Sequence, residues 1–307
     1  MLTRLSPWWQ AARPIAHGMI ALPLLWGQAI ALSQTGAFHW GWFAFIHGYG
    51  MLCQIYILYL NDYADEAVDR LNDGYWFSGG SRVIPNALLS GKHVYRASFV
   101  IAFALLLLAT IAMANDRPWA IPLIGASLFA AWNYSLKPMR SSYRGIGELH
   151  QGMSCGVLLP VIAFYLQTGH FAGFPWRLLL PFGLIFFAGN IVTALMDTAA
   201  DTQGGKRTYP VRHGEYSARR DALLILLVAY ALTAKLNLSN GMPWPMTMLT
   251  VGPALLLLIY IERCGLLKAA DSVNRNVCKR FILLTSLSQL WVLILWTISF
   301  VLLTINS

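Results

Sequence analysis

The chain has 307 residues, of which 57% are hydrophobic and only 11% are charged, and its net charge is +9. A soluble domain usually carries about a quarter charged residues, so this composition excludes an ordinary water-soluble fold. The positive charge is spread over the short segments between apolar stretches. That distribution does not indicate a nucleic-acid-binding patch, and no nucleic acid partner is expected.

Apolar stretches of about 17–24 residues recur along the chain, and each is long enough to cross a bilayer as a helix. None alternates apolar and polar residues as the strands of an outer-membrane barrel do. The sequence therefore predicts an all-α, polytopic membrane protein, a single domain over 1–307. Its bundle of about nine transmembrane helices is expected at 15–33, 40–60, 94–114, 119–136, 147–168, 176–196, 221–237, 245–262 and 281–304.

The basic residues are distributed asymmetrically between the two sides of this predicted bundle. All but Arg117, Arg177 and Lys235 of the 22 Lys and Arg residues precede the first stretch or lie beside the even-numbered connections. The positive-inside rule then predicts a multi-pass protein of a bacterial-type inner or plasma membrane, with its amino terminus and the even connections in the cytoplasm. Anionic lipid of the bilayer is the simplest partner for most of these charges.

Acidic residues are rare, and many of the 13 lie at the ends of two predicted spans. Asp62, Asp65 and Asp69 follow the second span at steps of three and four residues, which places them on one face of a helix. Asn61 lies beside that face. Carboxylates at the edge of a membrane are costly unless they are paired, hydrated or bound to metal, so these residues indicate a functional site.

A second pair, Asp197 and Asp201, ends the sixth span on the same predicted side, with Asn190 two turns earlier on the same helical face. Carboxylates this close raise each other's pKa values unless a cation separates them. Magnesium suits such a site because it binds one or two carboxylates while phosphate oxygens and water complete its shell. The two clusters therefore predict a diphosphate bridged to the protein by metal.

Basic residues follow both clusters and are candidates to hold diphosphate oxygens directly. Lys206 and Arg207 come after the second cluster, and Arg82 follows the flexible Gly79-Gly80 pair after the first. The alternative interpretation is ordinary positive-inside charge. The acids, likewise, have an alternative role as helix caps that pair with nearby arginines.

The two motifs resemble those of the UbiA superfamily of intramembrane prenyltransferases. The signature Asn-Asp-x-x-Asp-x-x-x-Asp is met by Asn61, Asp62, Asp65 and Asp69, and the signature Asp-x-x-x-Asp by Asp197 and Asp201. Within the superfamily, the segments 145–149 and 205–215 are most similar to the 1,4-dihydroxy-2-naphthoate prenyltransferases of menaquinone synthesis. That branch often has two asparagines and an arginine before the second motif, where this chain has Thr193, Ala194 and Met196.

The resemblance implies transfer of a prenyl group from a prenyl diphosphate to a small aromatic acceptor, with no obligate protein partner. It implies two magnesium ions held by the five aspartates Asp62, Asp65, Asp69, Asp197 and Asp201. The prenyl diphosphate would contact Asn61, Arg82, Asn190, Lys206 and Arg207. Tyr134 and Tyr63 are candidates to stabilise a prenyl cation, although a tyrosine at a helix end is also typical of the membrane interface.

Glu148 lies at the start of the fifth span and is a candidate to orient or deprotonate an acceptor hydroxyl. Its alternative role is a favourable interaction with the helix dipole.

Three other functions remain open from the sequence. A UbiA-type terpene cyclase would use the same metal site without an acceptor, and a related transferase would use an acceptor such as 4-hydroxybenzoate or homogentisate. A cation transporter would place its acids near the bilayer midplane on broken helices. The acids of this chain lie at helix ends beside basic segments, which argues against transport.

Overall fold

The computed structural model describes residues 6–74, 79–267 and 275–305, and the regular structure within these ranges is entirely helical. The nine long helices of these described ranges are α1 (His17–Thr35), α2 (Trp40–Ala64), α3 (Gly91–Ala114), α4 (Ala120–Ser135), α5 (Gly147–Thr168), α6 (Leu179–Ala194), α7 (Glu215–Ser239), α8 (Trp244–Arg263) and α9 (Arg275–Ile305). The predicted all-α, polytopic architecture is thus confirmed.

Eight segments of the described chain are long and apolar enough to span a membrane, and they contain every long helix except α4. Helix α4 corresponds to the predicted stretch 119–136 but has only 16 residues. At 1.5 Å per residue it is about 24 Å long, which is shorter than the roughly 30 Å hydrocarbon core. It nevertheless packs within the bundle against α2, α3 and α5.

Local signals set several helix ends. Ser90 precedes α3, and its side chain accepts a hydrogen bond from the backbone N of His93, which satisfies a free donor of the first turn. Gly36 ends α1 with φ +66°, and Gly169 ends α5 with φ +82°. Glycine suits these left-handed positions because it has no Cβ to clash with the chain.

The interior consists of two apolar cores that meet along α1 and α5. In α1, Leu24 belongs to the core formed with α2, α3 and α4, whereas Trp26 belongs to the core formed with α6, α7, α8 and α9. The Trp26 ring stacks on Phe182 of α6 with centroids 4.0 Å apart and meets Trp296 of α9 edge-on at 5.2 Å. Helices α1 and α5 therefore join the two halves of the bundle.

Helices α5 and α6 approach each other closely through glycine. A Cβ added at Gly156 would lie 2.5 Å from the Cα of Gly183, and one at Gly152 would lie 2.9 Å from the Cα of Phe187. Small residues allow this approach of two backbones, as is common between membrane helices. The contact fixes the start of α5 beside the segment that follows α6.

The two acidic motifs lie at the same end of the bundle. Beyond α2 the chain forms the short helix Glu66–Leu71, and beyond α6 it forms the short helix Thr198–Gln203. These two helices pack against each other, and a Cβ at Gly204 would lie only 2.5 Å from Val68 Cγ2. Packing between the short helices brings together residues that are more than 130 positions apart in sequence.

Candidate active site

The first motif spans a break between two helices. Helix α2 ends at Ala64, and Asp65 has φ −100° and ψ 7° before the next helix begins at Glu66. The helical hydrogen bonds continue across the break, from Asp65 N to Asn61 O (2.9 Å) and from Asp69 N to Asp65 O (2.8 Å). Asp62, Asp65 and Asp69 are all buried, at 2%, 2% and 8% exposure.

The second motif also interrupts a helix. A 3₁₀ turn, Leu195–Asp197, follows α6, and Asp201 lies in the short helix after it. Asp201 is 2% exposed, and its Oδ2 accepts a hydrogen bond from Thr208 Oγ1 (3.1 Å). This bond fastens the segment after the motif to the motif itself.

The loop after the first motif binds the second motif. Asn72 Nδ2 donates to Asp197 Oδ1 (2.8 Å), and the backbone N of Gly79 donates to the same oxygen (3.2 Å). Arg82 donates from Nη1 to the carbonyl oxygens of Asp69 (3.0 Å) and Asn72 (2.5 Å). In this structure the Arg82 guanidinium therefore holds the loop in place next to the carboxylates.

Lys206 connects the two motifs directly. Its Nζ lies 2.7 Å from Asp65 Oδ2 and 3.9 Å from Asp201 Oδ1. Burial lowers the pKa of Lys206, but the neighbouring Asp65 and Asp201 carboxylates outweigh burial and hold that pKa well above its usual value. The ammonium group therefore stays charged between the two carboxylates. The sequence predicted Lys206 near the site but not this bridging position.

Arg13 and Ser81 bind Asp62, and neither was predicted as a site residue. The Arg13 guanidinium forms an ion pair with Asp62 Oδ1, and the Ser81 hydroxyl donates to Asp62 Oδ2. The backbone N of Ser81 also donates to Asp62 Oδ1 (3.3 Å). The sequence does not indicate this role for Arg13, because nothing local predicts a contact across 49 positions.

Gly80 brings the backbone of the loop against the carboxylates. Its φ is +67°, and a Cβ at this position would overlap Asp69 Oδ2 and lie 3.1 Å from Asp62 Oδ1. Burial and the neighbouring carboxylates of Asp65 and Asp62 raise the pKa of Asp69 to about 7. Arg13 and Lys206 therefore compensate the acidic charge only in part.

The chemistry of these residues fits magnesium. Within the described chain no three carboxylate, thiol or imidazole side chains converge on one point. Magnesium does not require such a cluster, because one or two carboxylates suffice when phosphate oxygens and water complete its shell. Asp65 Oδ1 is buried and has no hydrogen-bond partner among the described residues, which is costly for a carboxylate oxygen and is relieved by a cation.

Aromatic rings lie beside the lysine bridge. The ring centroid of Tyr143 lies 5.7 Å from Lys206 Nζ and 3.5 Å from Arg140 Cζ. Tyr134, one of the two predicted tyrosines, meets His150 edge-on at 5.9 Å and has Lys206 as a charged neighbour. Tyr63, the other one, stacks on Tyr95 of α3 at 4.4 Å. Tyr134 is thus the better placed of the two predicted tyrosines.

The structure places the remaining predicted residues as follows. Glu148 is 6% exposed, and its Oε1 accepts a hydrogen bond from the backbone N of Tyr209 (2.6 Å), at the start of the short helix Tyr209–His213. Asn190 Nδ2 donates to Phe186 O within α6 (2.8 Å), and the Arg207 side chain is exposed. Asn61 is half-buried at the end of α2.

Met196, one of the departures from the branch pattern, lines a cavity of about 260 Å³ behind the second motif. Thr198, Glu215 and Cys278 also line it. Thr193 instead is exposed, and its Oγ1 donates to Asn190 O (3.2 Å) within the same helix. Of these two departures, Met196 is the one that shapes an internal surface near the site.

Buried carboxylates from two motifs, bridged by a lysine at one end of an apolar helical bundle, define an intramembrane enzyme of the two-acidic-motif class. A model of the UbiA prenyltransferase family matches residues 20–285, and the chain belongs to this family. It is therefore a prenyltransferase, as the motifs predicted.

Two relatives and one solved structure illustrate the similarity. The chain is 26% identical over 243 residues to a 2-carboxy-1,4-naphthoquinone phytyltransferase of Synechocystis sp., covering 77% of this chain and 76% of that protein. It is 22% identical over 246 residues to a 1,4-dihydroxy-2-naphthoate octaprenyltransferase of Bacillus subtilis, with coverage of 77% and 75%. A UbiA homolog from Archaeoglobus fulgidus, solved bound to DMAPP and Mg²⁺, shares the fold with a TM-score of 0.67 and 17% identity, covering 95% of this chain and 100% of that one.

Proposed function

We propose that this enzyme transfers the prenyl group of a prenyl diphosphate to an aromatic acceptor such as 1,4-dihydroxy-2-naphthoate, in a quinone pathway of the menaquinone type. The observation that carries the proposal is the Lys206 bridge between Asp65 and Asp201, because one buried ammonium group lies against a carboxylate of each acidic motif. The names of the cyanobacterial and Bacillus relatives support a bicyclic aromatic acceptor.

Two magnesium ions would be held by the acidic motifs, whose carboxylates are the oxygen ligands that magnesium prefers. The proposed ligands are Asp62, Asp65, Asp69, Asp197 and Asp201. Bound there, magnesium would neutralise the negative charge that develops on the diphosphate as the allylic carbon–oxygen bond breaks. Divalent metal use is supported by the fold neighbour solved with Mg²⁺.

The basic residues of the site would bind the diphosphate as the metal takes over their carboxylate partners. Arg13 and Lys206 lie against Asp62 and Asp65, so a short side-chain movement would turn each toward phosphate oxygens. Asn61, Arg82, Asn190 and Arg207 complete the proposed set for the prenyl diphosphate. Arg82 would act by holding the loop of residues 79–81 against the acids.

Tyr134 is proposed to stabilise the prenyl cation, and Glu148 is proposed to act on the acceptor. The Tyr134 ring lies beside the lysine bridge, where its π face would stabilise a positively charged allylic carbon. Glu148 is buried at the start of α5 and is proposed to orient or deprotonate the acceptor hydroxyl, which activates the ring carbon for attack.

The site is proposed to face the cytoplasm. All but three of the 22 basic residues lie on the side predicted to be cytoplasmic, which supports this orientation. Prenyl diphosphate would then enter from the cytoplasm or its lipid leaflet, with its chain among the apolar helices.

The experiment that tests the proposal is mass spectrometry of the products. Purified enzyme is incubated with magnesium, prenyl diphosphates of several lengths and a panel of aromatic acceptors. A prenylated naphthoate derivative that forms only with magnesium is the expected product. If the main product formed equally well without any acceptor, the enzyme would be a terpene cyclase and not a transferase. If only 4-hydroxybenzoate or homogentisate were prenylated, the enzyme would be a transferase with that acceptor in place of the naphthoate.

A further inference from the structure

A second cavity lies beside the acidic site but on another side of the same helix ends. Its volume is about 650 Å³, and it opens between α2, α3 and α4. Tyr63, Ala67 and Arg70 line it, alternating in sequence with the aspartates of the first motif, which are not among its described lining residues. The cavity is therefore separate from the proposed diphosphate site.

Basic side chains dominate the polar part of this cavity. Arg70, Lys137 and Arg140 line it together with a single acid, Glu66. Glu66 is already paired with Arg70 at 2.8 Å. Lys137 and Arg140 form no ion pair with any carboxylate in the described ranges of the chain. Two positive charges are thus available to an anionic ligand.

Arg140 is held in a fixed orientation at this cavity. Its Nη2 donates to the carbonyl oxygen of Ala64 (2.5 Å), and its guanidinium lies over the ring of Tyr143 at 3.5 Å. A guanidinium oriented in this way loses little freedom when it binds a phosphate, because its planar fork is already positioned.

Aromatic side chains line the cavity and continue away from its charged rim. Tyr95 and Trp132 line the cavity itself. One helical turn farther along, Phe99 meets Tyr95 edge-on at 4.9 Å in α3, and Phe129 stacks on Trp132 at 6.2 Å in α4. Phe99 and Phe129 are 54% and 61% exposed, and both lie deeper in the span than the basic residues. The surface therefore combines a cationic rim with an apolar track that points into the bilayer.

We propose that this cavity binds an anionic phospholipid, with its phosphate between Lys137 and Arg140 and an acyl chain along Phe99 and Phe129. A basic pocket between membrane helices suits an anionic head group, which supplies the charge that these side chains lack. The aromatic track favours a lipid over a soluble phosphate. The motif aspartates are not among the described residues that line the cavity, which argues against the reacting substrates as its occupants.

The bound lipid would also stabilise the conformation of the acidic site. Arg140 contacts the carbonyl of Ala64, the residue before Asp65, and shares the Tyr143 ring with Lys206. A phosphate that fixes Arg140 therefore fixes the end of α2 next to the first acidic motif.

The test measures lipid binding and needs no catalytic readout, so it is independent of the proposed reaction. Native mass spectrometry of the full chain, titrated with phosphatidylglycerol or phosphatidylcholine, gives an apparent Kd for each lipid. Wild type should prefer phosphatidylglycerol. Lys137→Gln and Arg140→Gln should each weaken phosphatidylglycerol binding about fivefold, and Phe129→Ala should weaken both lipids. Arg263→Gln, an exposed basic residue at the end of α8, is the matched control and should change nothing.

Several outcomes would overturn the proposal. If wild type bound the two lipids with equal affinity, the cavity would not select an anionic head group. If Lys137→Gln bound phosphatidylglycerol as tightly as wild type does, the proposed location of the binding site would be wrong. The exposed Lys137 keeps the test valid even if Arg140→Gln fails to fold. If soluble glycerol 3-phosphate displaces phosphatidylglycerol at matching concentrations, the cavity binds a free phosphate ester and not a lipid.

Discussion

Three of the four buried aspartates of the site have an ionic or hydrogen-bonding partner of their own among the described residues, and Asp69 is the exception. Asp62 has Arg13 and Ser81, Asp65 has Lys206, and Asp201 has Thr208. An ionised carboxylate in an apolar interior is costly unless it is paired and hydrogen-bonded. These partners offset the cost of burying the acids, and they indicate which side chains would respond when metal binds.

Asp201→Asn tests the second motif at the scale of one residue. The change keeps the size of the side chain and an acceptor oxygen for Thr208, but it removes the negative charge that a metal needs. Turnover should fall at least about 100-fold, the usual cost of losing one group that stabilises developing charge. The rate of product formation is measured at saturating magnesium.

Asp116→Asn is the matched control for Asp201→Asn. Asp116 is an exposed acid after α3, at the end of the bundle away from the motifs, and its replacement should leave turnover unchanged. If Asp201→Asn retained activity within about threefold of wild type, with an unchanged helical circular dichroism spectrum, Asp201 would not be a metal ligand.

Glu148→Gln separates two roles of this buried acid. Glutamine keeps an oxygen that can accept the Tyr209 N–H, so the start of the short helix 209–213 should survive. It cannot take a proton from the acceptor. Prenyl transfer should therefore slow by about 10²–10⁴-fold, while binding of an unreactive prenyl thiolodiphosphate, measured by calorimetry, stays as in wild type. A slowing of less than about threefold would leave Glu148 with the structural role alone.

The motif aspartates could be found from the sequence, because their spacing by three and four residues is a local signal. Arg13, Ser81 and Asn72 could not be found in this way. Each reaches an aspartate through a loop or from a distant helix, and one-dimensional periodicity carries no information about such contacts. The same limit applies to the Lys206 bridge, which depends on how two short helices pack.

At the scale of elements, both acidic motifs lie at a change of helix. Asp65 separates α2 from Glu66–Leu71, and a 3₁₀ turn ending at Asp197 separates α6 from Thr198–Gln203. The spacing of each motif predicts one face of a continuous helix. At the first motif the aspartates keep their helical spacing despite the interruption, because the i→i+4 hydrogen bonds persist across it.

The helix boundaries show where periodicity stops being informative. Helix α7 begins at Glu215 and not at 221, and α9 begins at Arg275 and not at 281. In both cases the added turns are rich in charge, so hydropathy could not include them. Helices extend beyond the apolar core wherever polar residues can be hydrated or paired, as Arg219 and Glu215 are in α7.

Gly80→Ala tests the loop that covers the first motif. A methyl group at this position would overlap the Asp69 carboxylate and crowd Asp62, so the loop or the carboxylates must move. A displacement of about 1 Å in a positioned catalytic group can cost up to about 10²-fold. We expect kcat/KM to fall about 10–100-fold, measured by the same product assay.

Gly36→Ala is the matched control for the loop variant. Gly36 has nearly the same backbone angle, φ +66° against +67°, but nothing lies within 4 Å of its added Cβ. Both variants should lose about 1–2 kcal/mol of stability from backbone strain, whereas only Gly80→Ala should lose activity. Equal activities in the two variants would show that the loop does not position the acids.

At the scale of the whole molecule, the bundle is polarised. Helices α2, α4, α6 and α8 all have their carboxyl termini at one end of the bundle. The acidic motifs, the Lys206 bridge and the second cavity with its basic rim lie at that same end. The basic residues concentrate in the connections at that end, with Arg117, Arg177 and Lys235 as the exceptions. The proposed site therefore lies at the end of the bundle that the positive-inside rule predicts to be cytoplasmic.

Cysteine labelling tests which way the molecule faces. The positive-inside rule predicts that the connection between α2 and α3 is cytoplasmic and the connection between α7 and α8 is external. Asn86, in the first connection, and Ser239, at the end of α7 beside the second connection, are exposed and are suitable positions for single cysteines. The background carries Cys264→Ser, because Cys264 is the exposed one of the four natural cysteines, and Cys53 and Cys278 are buried. A membrane-impermeant maleimide added to intact cells should label Ser239→Cys and fail to label Asn86→Cys, and both should react after lysis. Labelling of Asn86→Cys alone in intact cells would reverse the orientation and place the diphosphate site outside, where no cytoplasmic pool of prenyl diphosphate could reach it.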